Sequence, residues 1–349
     1  MRLDEPGWWY RPAGFLSTLL APAAWAYGRA AIHRFRNGAG YRSSLPVICI
    51  GNLTAGGAGK TPFAMYLIGV LRQLGEHPAV LSRGYGGRLA GPHLVTAGDR
   101  AGDVGDEPLL LARHAPTFVA RDRAQGARAI ERHAAELRDA TVIVMDDGLQ
   151  NPALHKDLVI AVVDGKRGIG NGRTIPAGPL RAPLSFQLPL LDLVVLNRAE
   201  TDEGPGLDWP WLATCSAPVL PMQTGTSDGA KALFGGRAVV AFAGIGEPRK
   251  FFATLAALGA DVRDRIAFPD HHPFTEADAN RLLGLAARHH AELITTEKDY
   301  ARLEGAETGP LLALQQRTRT LPLRVWMRDE DAQRLTTLMR EKLDAARRQ

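Results

Sequence analysis

The sequence predicts an α/β protein, because short runs rich in Val, Ile and Leu alternate with segments of helical periodicity. Two of these runs are followed by groups typical of a nucleotide site. Residues 47–50 (VICI) precede a glycine-rich turn that ends in Lys60 and Thr61, and residues 141–145 (TVIVM) precede Asp146 and Asp147. The predicted fold is a P-loop NTPase-type α/β/α sandwich with a second, smaller α/β domain and a β-rich connector.

Length and composition also indicate two domains. A chain of 349 residues is long for one hydrophobic core. Residues 216–237 lose helical periodicity and gain Pro, Gly, Ser and Thr, as a connector does. We therefore expect an N-terminal segment over residues 1–40, a P-loop core over 41–215, the connector over 216–237 and a C-terminal α/β domain over 238–349.

The positive charge is concentrated near the N-terminus. The formal net charge is +5, and residues 1–44 hold six arginines against Asp4 and Glu5. The remainder of the chain is close to neutral, so we expect no nucleic acid as a partner. The two cysteines form neither a disulfide framework nor a metal cluster, which fits a reducing, cytoplasmic setting.

Residues 12–28 form an uncharged segment flanked by arginines and by Trp8, Trp9 and Tyr10. The segment contains Pro22 and is short for a membrane span, which needs about 20 apolar residues. An apolar body with an aromatic rim and arginines suits a segment that lies in the interface of an anionic leaflet. The sequence favours association with a membrane surface over the alternative, a helix packed on the protein's own core.

The glycine-rich turn predicts a phosphate site. Backbone N–H groups and the positive end of the following helix would face a phosphate, Lys60 adds charge, and the Thr61 hydroxyl can bind Mg²⁺. Thr54 stands where a standard Walker A loop has its first glycine. Because threonine resists positive φ, the start of the loop should differ from the standard one. The predicted nucleotide-binding residues are Thr54, Ala55, Gly56, Gly57, Ala58, Gly59, Lys60 and Thr61.

Asp146 and Asp147 are the second predicted part of the nucleotide site. A wholly apolar strand that ends in acids is the Walker B arrangement, in which a carboxylate holds or orients the Mg²⁺ of the nucleotide. A strand-terminal aspartate alone is common, but this pair follows Lys60 in a chain of alternating strands and helices. The predicted metal ligands are Thr61, Asp146 and Asp147.

Several arginines follow predicted strands, at the carboxyl ends where open α/β sheets bind ligands. One loop carries Arg83 and Tyr85, and Arg121 follows a later strand. The long loop over residues 167–183 carries Arg181, and loops of this length in compact domains tend to be functional. Arg83, Tyr85, Arg121 and Arg181 are therefore the candidate substrate contacts.

Two further features stay open when only the residues are considered. Asp106 and Glu107 precede a predicted helix, where capping explains a carboxylate without a catalytic role. His271 and His272 follow Asp270 and could bind a metal or relay a proton. No further metal ligands stand at a familiar spacing.

Residues 197–200 (NRAE) suggest a rival function. GTP-binding P-loop proteins read guanine with Asn-Lys-x-Asp after a late strand, and this tetrapeptide is a loose analogue. The protein would then be a membrane-associated P-loop GTPase switch. Two departures in four residues make this the less favoured interpretation. A third possibility is a soluble small-molecule kinase.

Together the motifs resemble those of the tetraacyldisaccharide 4′-kinase family over most of the chain. The matching stretches are GNLTAGGAGKTP (51–62), LSRGYGG (81–87), VGDEP (104–108), DRAQGA (122–127), MDDGLQ (145–150), PAGPLR (176–181), FAGIGEPRKFF (242–252), FPDHHPF (268–274) and TTEKD (295–299). The resemblance implies transfer of the γ-phosphoryl group of ATP, with Mg²⁺, to the 4′-hydroxyl of a tetraacylated glucosamine disaccharide 1-phosphate, giving lipid IVA in lipid A biosynthesis. It also implies a peripheral or monotopic enzyme at the cytoplasmic face of the inner membrane.

The resemblance also implies residue roles. Asp106 of the GDEP motif is implied as the general base, and His271 of the DHH motif is implied to adjust its pKa and orientation. These two residues fall in different predicted domains, so we expect a site that closes between domains and excludes water. One position departs from the family, which usually has a glutamate where this chain has Ala182, beside Arg181.

Overall fold

The computed structural model describes residues 5–38, 40–134, 140–199, 209–226 and 229–348. The strands are β1 (Val47–Gly51), β2 (Pro78–Ser82), β3 (His93–Leu94), β4 (Thr117–Val119), β5 (Val142–Asp146), β6 (Leu158–Asp164), β7 (Leu193–Ala199), β8 (Val219–Thr226), β9 (Ala238–Ala243), β10 (Asp261–Ala267), β11 (Glu292–Thr296), β12 (Thr318–Leu321) and β13 (Leu323–Trp326). The α-helices are α1 (Phe15–Leu19), α2 (Ala21–Arg36), α3 (Lys60–Gln73), α4 (Ala101–Val104), α5 (Asp106–Ala112), α6 (Arg123–Arg132), α7 (Leu184–Gln187), α8 (Ala230–Phe234), α9 (Pro248–Ala257), α10 (Glu276–His289), α11 (Glu297–Leu303), α12 (Gly309–Arg317) and α13 (Asp329–Arg347). Short 3₁₀ helices cover Gly7–Tyr10, Leu188–Leu190 and Pro210–Thr214.

The chain forms two compact units, each built from separate stretches. Unit 1 comprises residues 1–83, 120–224 and 325–349, and unit 2 comprises residues 84–119 and 225–324. The expectation that Asp106 and His271 lie in different domains is wrong, because both belong to unit 2. The physical reason is a buried apolar cluster in which Val104, Leu109 and Leu110 pack with Ala301 of α11.

Unit 1 contains parallel strands in the order β8-β7-β6-β1-β5-β2. Every residue of β1, β2 and β5 is buried, which explains why these strands are apolar up to the polar last residues of β2 and β5, Ser82 and Asp146. The chain passes from β5 on one side of β1 to β6 on the other, so the winding of the sheet reverses beside β1. Ligands of open α/β sheets bind at the carboxyl ends of strands at such a point.

Helix α3 follows β1 and buries the face that its sequence periodicity predicts. Phe63, Leu67 and Leu71 are fully buried, and Pro62 lies in the first turn, where its missing N–H costs nothing. Gly75 directly follows the C-cap residue with a φ of 84° and ends the helix. The loop between β1 and α3 is therefore fixed at both ends by buried elements.

Strand β8 lies within the predicted connector, residues 216–237. It pairs with β7 in parallel from Val194↔Val219 to Ala199↔Thr224. Part of the predicted connector is thus a strand of the unit 1 sheet, and α8 follows it.

The N-terminal segment forms α1 and α2, with Pro22 in the first turn of α2. Small residues face the rest of unit 1: Ser17 and Ala24 are buried, and Ala24 O accepts a hydrogen bond from Thr174 Oγ1 (2.9 Å). Large apolar side chains face outward, Phe15 being 80% and Trp25 70% exposed. Within the described residues, no helix has both the length and the apolar character that crossing a membrane requires.

Unit 2 contains a second parallel sheet, in the order β10-β9-β11-β12. Alternate residues of β9 enter two apolar clusters, Val239 and Ala241 with residues of α9, and Val240 and Phe242 with residues of α10. The sheet is thus covered by helices on both faces. The predicted α/β class with a second, smaller α/β unit is confirmed.

Candidate functional site

The loop between β1 and α3 has the Glu5 carboxylate against Gly56 and the Asn197 side chain against Gly59, and it faces open space at Gly57. Gly56 and Gly59 both have a φ of 90°, a conformation that L side chains rarely adopt. Asn52 Nδ2 donates to Gly56 O (3.0 Å) and fixes the middle of the loop. Apart from its chain neighbours, a Cβ at Gly57 would meet no described heavy atom within 4 Å. A ligand can therefore approach the backbone closely at Gly57.

The start of the loop pairs with the PAGPLR segment, residues 176–181. Thr54 forms an antiparallel bridge with Leu180, and Ala55 N donates to Pro179 O (2.7 Å). Thr54 therefore serves strand-like pairing, in agreement with the expectation that the loop starts differently from a standard Walker A loop. Because the Ala55 N–H is committed to Pro179, it is not available to a phosphate. The contribution predicted for Ala55 is limited to the shape of the loop.

Lys60 and Asp147 meet beside this loop. Lys60 Nζ lies 3.6 Å from Asp147 Oδ1, and Arg181 Nη1 donates to the same oxygen at 2.8 Å. Burial alone would raise the pKa of Asp147, but Lys60 and Arg181 lower it to about 2. Asp147 has a φ of 51°, a strained conformation that is uncommon outside glycine and concentrates at functional sites. The predicted site residues Lys60, Asp147 and Arg181 are thus brought together.

Asp146, the last residue of β5, is buried, and its Oδ2 accepts a hydrogen bond from Ser82 Oγ (3.2 Å). The buried Arg123 holds the backbone at the same place, because Nη2 donates to Asp146 O (3.1 Å) and Nη1 to Ala120 O (2.7 Å). Burial lowers the pKa of Arg123. The sequence shows Arg121 and Arg123 as a pair after a predicted strand, but only Arg121 was predicted as a site residue.

Asn197 contacts the glycine-rich loop. Its Nδ2 donates to Ala58 O (3.1 Å), and its Oδ1 accepts from Thr224 Oγ1 (2.6 Å). The side-chain amide that the rival interpretation assigns to guanine is therefore occupied within unit 1. Glu200, the last residue of that tetrapeptide, lies outside the described residues.

Unit 2 contains the second cluster of candidate residues, centred on the buried Asp106 at the first position of α5. Its Oδ2 lies 2.9 Å from His271 Nδ1 and accepts from both Nε (2.8 Å) and Nη2 of Arg302. Its Oδ1 accepts from Glu107 N (2.9 Å). The N-cap residue is Gly105, and Asp106 lies in the first turn of α5, so its carboxylate also stabilises the N-terminal end of that helix.

The charged surroundings keep the Asp106 carboxyl ionised. Burial alone would raise its pKa, but the hydrogen bond from His271 and the charges of Lys298 and Arg302 hold that pKa well below its usual range. Lys298 Nζ in turn lies 3.0 Å from Glu107 Oε1. Asp106 is therefore an anion at neutral pH.

The two adjacent histidines have different partners. His271 has a φ of 57°, bonds to Asp106, and places its ring 5.5 Å from that of Tyr85. His272 Nε2 instead lies 2.9 Å from Asp278 Oδ2, at the start of α10. The described residues include no group of three or more His, Cys, Asp or Glu able to hold a metal ion. The two rings contact different carboxylates, and only His271 belongs to the Asp106 cluster.

The remaining candidate substrate contacts are two exposed arginines, whose preceding residues are joined by the hydrogen bond from Ala120 N to Ser82 O (3.0 Å), and one exposed tyrosine. Arg83 follows β2 and Arg121 precedes α6, both exposed in unit 1. Tyr85 is half exposed in unit 2. Arg181 differs from them, because its guanidinium is held by Asp147 and by Thr54 O (3.0 Å).

A parallel sheet whose central strand leads through a glycine-rich turn to a lysine, with paired aspartates at the end of the neighbouring strand, defines a P-loop-type α/β protein. A family model matches residues 16–344: Tetraacyldisaccharide-1-P 4′-kinase. The chain belongs to this family, which confirms the resemblance seen in its motifs.

Named relatives and a solved structure agree with this family assignment. The chain is 45% identical to the tetraacyldisaccharide 4′-kinase of Bradyrhizobium sp. (strain ORS 278), with 99% of each chain covered. It is 51% identical to that of Methylobacterium nodulans, with 87% of this chain and 88% of the relative covered. A crystal structure of LpxK from Aquifex aeolicus in complex with ATP matches with a TM-score of 0.73 and 26% identity, over 94% of this chain and 100% of that chain.

Proposed function

We propose that this chain acts as its relatives are named, as a tetraacyldisaccharide 4′-kinase that transfers the γ-phosphoryl group of ATP to a sugar hydroxyl of an acylated disaccharide 1-phosphate. The observation that carries the proposal is the family match over residues 16–344. A GTPase switch is not favoured, because the relatives are kinases and Asn197 is occupied by Ala58 and Thr224.

The loop between β1 and α3 is the proposed phosphate site. ATP is the ligand named for the solved relative. The N–H groups of residues 56–59 and the positive end of α3 suit a phosphate, and Lys60 adds a positive charge. Phosphoryl transfer depends mainly on positioning and on neutralising charge. Lys60 and the loop both position the phosphates of ATP, the phosphoryl donor, and neutralise their charge.

Mg²⁺ is the proposed cofactor, with Thr61, Asp146 and Asp147 as its protein ligands. Hydroxyl and carboxylate oxygens are the hard donors that Mg²⁺ prefers, and it is usually held by one or two carboxylates together with phosphates. When bound, Mg²⁺ neutralises charge on the phosphates. Lys60 and Arg181 keep Asp147 ionised and oriented for it.

Asp106 and His271 are the proposed acid–base pair. The carboxylate accepts the proton of the sugar hydroxyl, and the 2.9 Å contact to His271 Nδ1 orients it. A carboxylate of low pKa is a weak base, but a loose phosphoryl-transfer transition state asks little of the base. Arg83, Tyr85 and Arg121 are the proposed substrate contacts, because two exposed guanidinium groups and an aromatic ring suit a phosphorylated sugar.

The lipid substrate is proposed to come from a membrane surface, at the cytoplasmic face of the inner membrane. Phe15, Leu19 and Trp25 are 80%, 62% and 70% exposed on α1 and α2. Arg29 lies over the Trp25 ring at 5.9 Å, which places a cation beside the apolar side chains. This composition suits a peripheral or monotopic protein on an anionic leaflet.

The direct test is incubation of the purified chain with MgATP and a tetraacylated disaccharide 1-phosphate, followed by mass spectrometry of the lipid. We expect a product heavier by one phosphoryl group.

Asp106→Ala should lower kcat by about 100-fold or more while ATP still binds. His271→Ala should lower kcat more than it weakens ATP binding. GTP hydrolysis without a lipid product, or full activity in Asp106→Ala, would contradict the proposal.

A further inference from the structure

We propose that Arg302 is a positioning residue that fixes the Asp106 carboxylate with Oδ2 directed at His271. The inference rests on the proposed function, because it concerns the residue assigned there as the base. Arg302 lies on α11, and its distance in sequence from Asp106 is 196 residues.

The contact is a fork that engages one carboxylate oxygen. Arg302 Nε donates to Asp106 Oδ2 at 2.8 Å, and Nη2 donates to the same oxygen. The Arg302 side chain is 5% and the Asp106 side chain 2% exposed. A planar guanidinium fixes the direction of a carboxylate in a way that a flexible ammonium group does not.

Arg302 is itself held by rigid parts of unit 2. Its Nη1 donates to Gly244 O (2.7 Å), at the end of β9, and to Asp299 Oδ1 (2.6 Å). Asp299 is buried, and its two oxygens also accept from Gly244 N (3.0 Å) and Thr296 Oγ1 (2.7 Å). The guanidinium thus links Asp106 to the end of a central strand, which is the support a precise site requires.

The two oxygens of Asp106 are used differently. Oδ2 receives His271 Nδ1 and two Arg302 donors, whereas Oδ1 receives one described donor, Glu107 N. Oδ1 therefore keeps a lone pair for the sugar hydroxyl. In the proposed step the O–H proton passes to Oδ1, the electron pair stays on the sugar oxygen, that oxygen bonds to the γ-phosphorus, and the bond from phosphorus to ADP breaks.

Charged groups from several elements face Asp106. Arg302 and Lys298 come from α11, and His271 from the segment before α10. Glu107 pairs with Lys298, and Asp270 Oδ2 lies 3.7 Å from His271 Nε2. Removing Arg302 would leave a buried carboxylate with less compensating charge, so its pKa would rise toward or above the ordinary value of 3.8.

The test compares Arg302→Gln, Arg302→Lys and the control Arg113→Gln. Arg113 also forms an ion pair in unit 2, with Glu304, but at an exposed site. We expect Arg302→Gln to lower kcat by about 100-fold through misplacement of the base, with little change in KM for ATP. The acid limb of the pH–kcat profile of Arg302→Gln should move to higher pH by about one to three units. Arg302→Lys keeps the charge and should shift the acid limb less, and Arg113→Gln should match the wild type.

A second measurement needs no turnover. The carboxyl ¹³C signal of Asp106, assigned with Asp106→Asn, reports its titration directly. We expect this titration to move to higher pH in Arg302→Gln and less in Arg302→Lys, with Arg113→Gln unchanged. If thermal melting shows that Arg302→Gln does not fold, the pH–kcat profile and the Asp106 titration of Arg302→Lys decide between the two outcomes.

Unchanged pH profiles and an unchanged Asp106 titration in the Arg302 variants would overturn the inference. A fall in kcat without either shift would also overturn it, because a purely structural role predicts that result. A wild-type chain that gives no phosphorylated lipid would overturn the proposed function, while the carboxyl titration would still decide on Arg302.

Discussion

Asn197 is the residue on which the shape of the glycine-rich loop depends most visibly. Its amide joins Ala58 O to the Thr224 hydroxyl, so the loop is tied to β7 and β8. A Cβ at Gly59 would come within 2.2 Å of Asn197 Nδ2, so the two residues also fit each other closely. A loop that binds phosphates through its backbone gains affinity when its conformation is fixed in advance.

Asn197→Ala should therefore weaken ATP binding by roughly tenfold, because the loss of one hydrogen bond and an unpaired Ala58 carbonyl costs about 1–2 kcal/mol. Asn197→Asp should weaken it further, since a carboxylate oxygen would face Ala58 O. ATP affinity is measured by calorimetry, with Asn37→Ala, an exposed helix-end change, as the control. An unchanged affinity in both Asn197 variants would show that the loop does not need this tie.

Site residues were predictable from sequence where they lie within a recognisable local motif. Lys60, Thr61 and the aspartate pair were found because strand, turn and helix signals surround them. Of the partners of Asp106, His271 was indicated by the family resemblance, whereas Arg302, which is 196 residues away in sequence, was not predicted. Capping was the simpler explanation for Asp106 from the residues alone, and its role as the base was implied by the family resemblance.

At the scale of elements, α1 and α2 reverse the usual arrangement of a surface helix. Small residues such as Ser17 and Ala24 face inward, and Phe15 and Trp25 face outward. Exposed aromatic and aliphatic side chains of this size mark an interaction surface. The inward face packs on unit 1, as the alternative interpretation expects, and membrane association stays a prediction for the outward face.

The double variant Phe15→Ser with Trp25→Ser should bind anionic phospholipid vesicles at least about tenfold more weakly, because each large apolar side chain contributes about 1.5–3 kcal/mol when buried. Turnover of detergent-dispersed lipid should be retained. The control is Leu233→Ser, a 47% exposed leucine in unit 2. Equal vesicle binding by the wild type and the double variant in co-sedimentation would rule out this surface.

Strands with uniform apolar composition were found from sequence, and β8 was not. Its Pro221 is paired opposite Leu196 of β7, although a proline inside a run argues against a sheet strand. Gly225 and the threonines around it also resemble a connector. The pairing with β7 outweighs these local signals, and such pairing is not visible in a single sequence.

At the scale of the whole molecule, α13 belongs to unit 1, far in sequence from the strands it joins. It buries Leu335, Met339 and Leu343. Lys342 forms an ion pair with Asp192, and Arg347 with Glu76. The domain boundaries predicted from sequence assigned this helix to the C-terminal domain, because composition does not reveal which unit an amphipathic helix covers.

Removing residues 329–349 should destabilise unit 1 severely. Losing three buried apolar side chains at about 2–5 kcal/mol each approaches the whole stability of a typical domain. The matched control is Lys342→Ala with Arg347→Ala, which removes one half-buried and one exposed ion pair and should cost about 1 kcal/mol per pair. Thermal unfolding measures both, and a truncated chain that melts with the wild type would contradict this role of α13.

The Asp106–Arg302 contact has a consequence for the folding of this protein during translation. A ribosome that adds about 5–20 residues per second needs on the order of 10–40 s to make the stretch between them, which is 196 residues long. During that interval the nascent carboxylate has no guanidinium, and the apolar cluster of Leu109 and Leu110 lacks Ala301. Chaperones that recognise apolar segments have this window in which to protect the growing polypeptide.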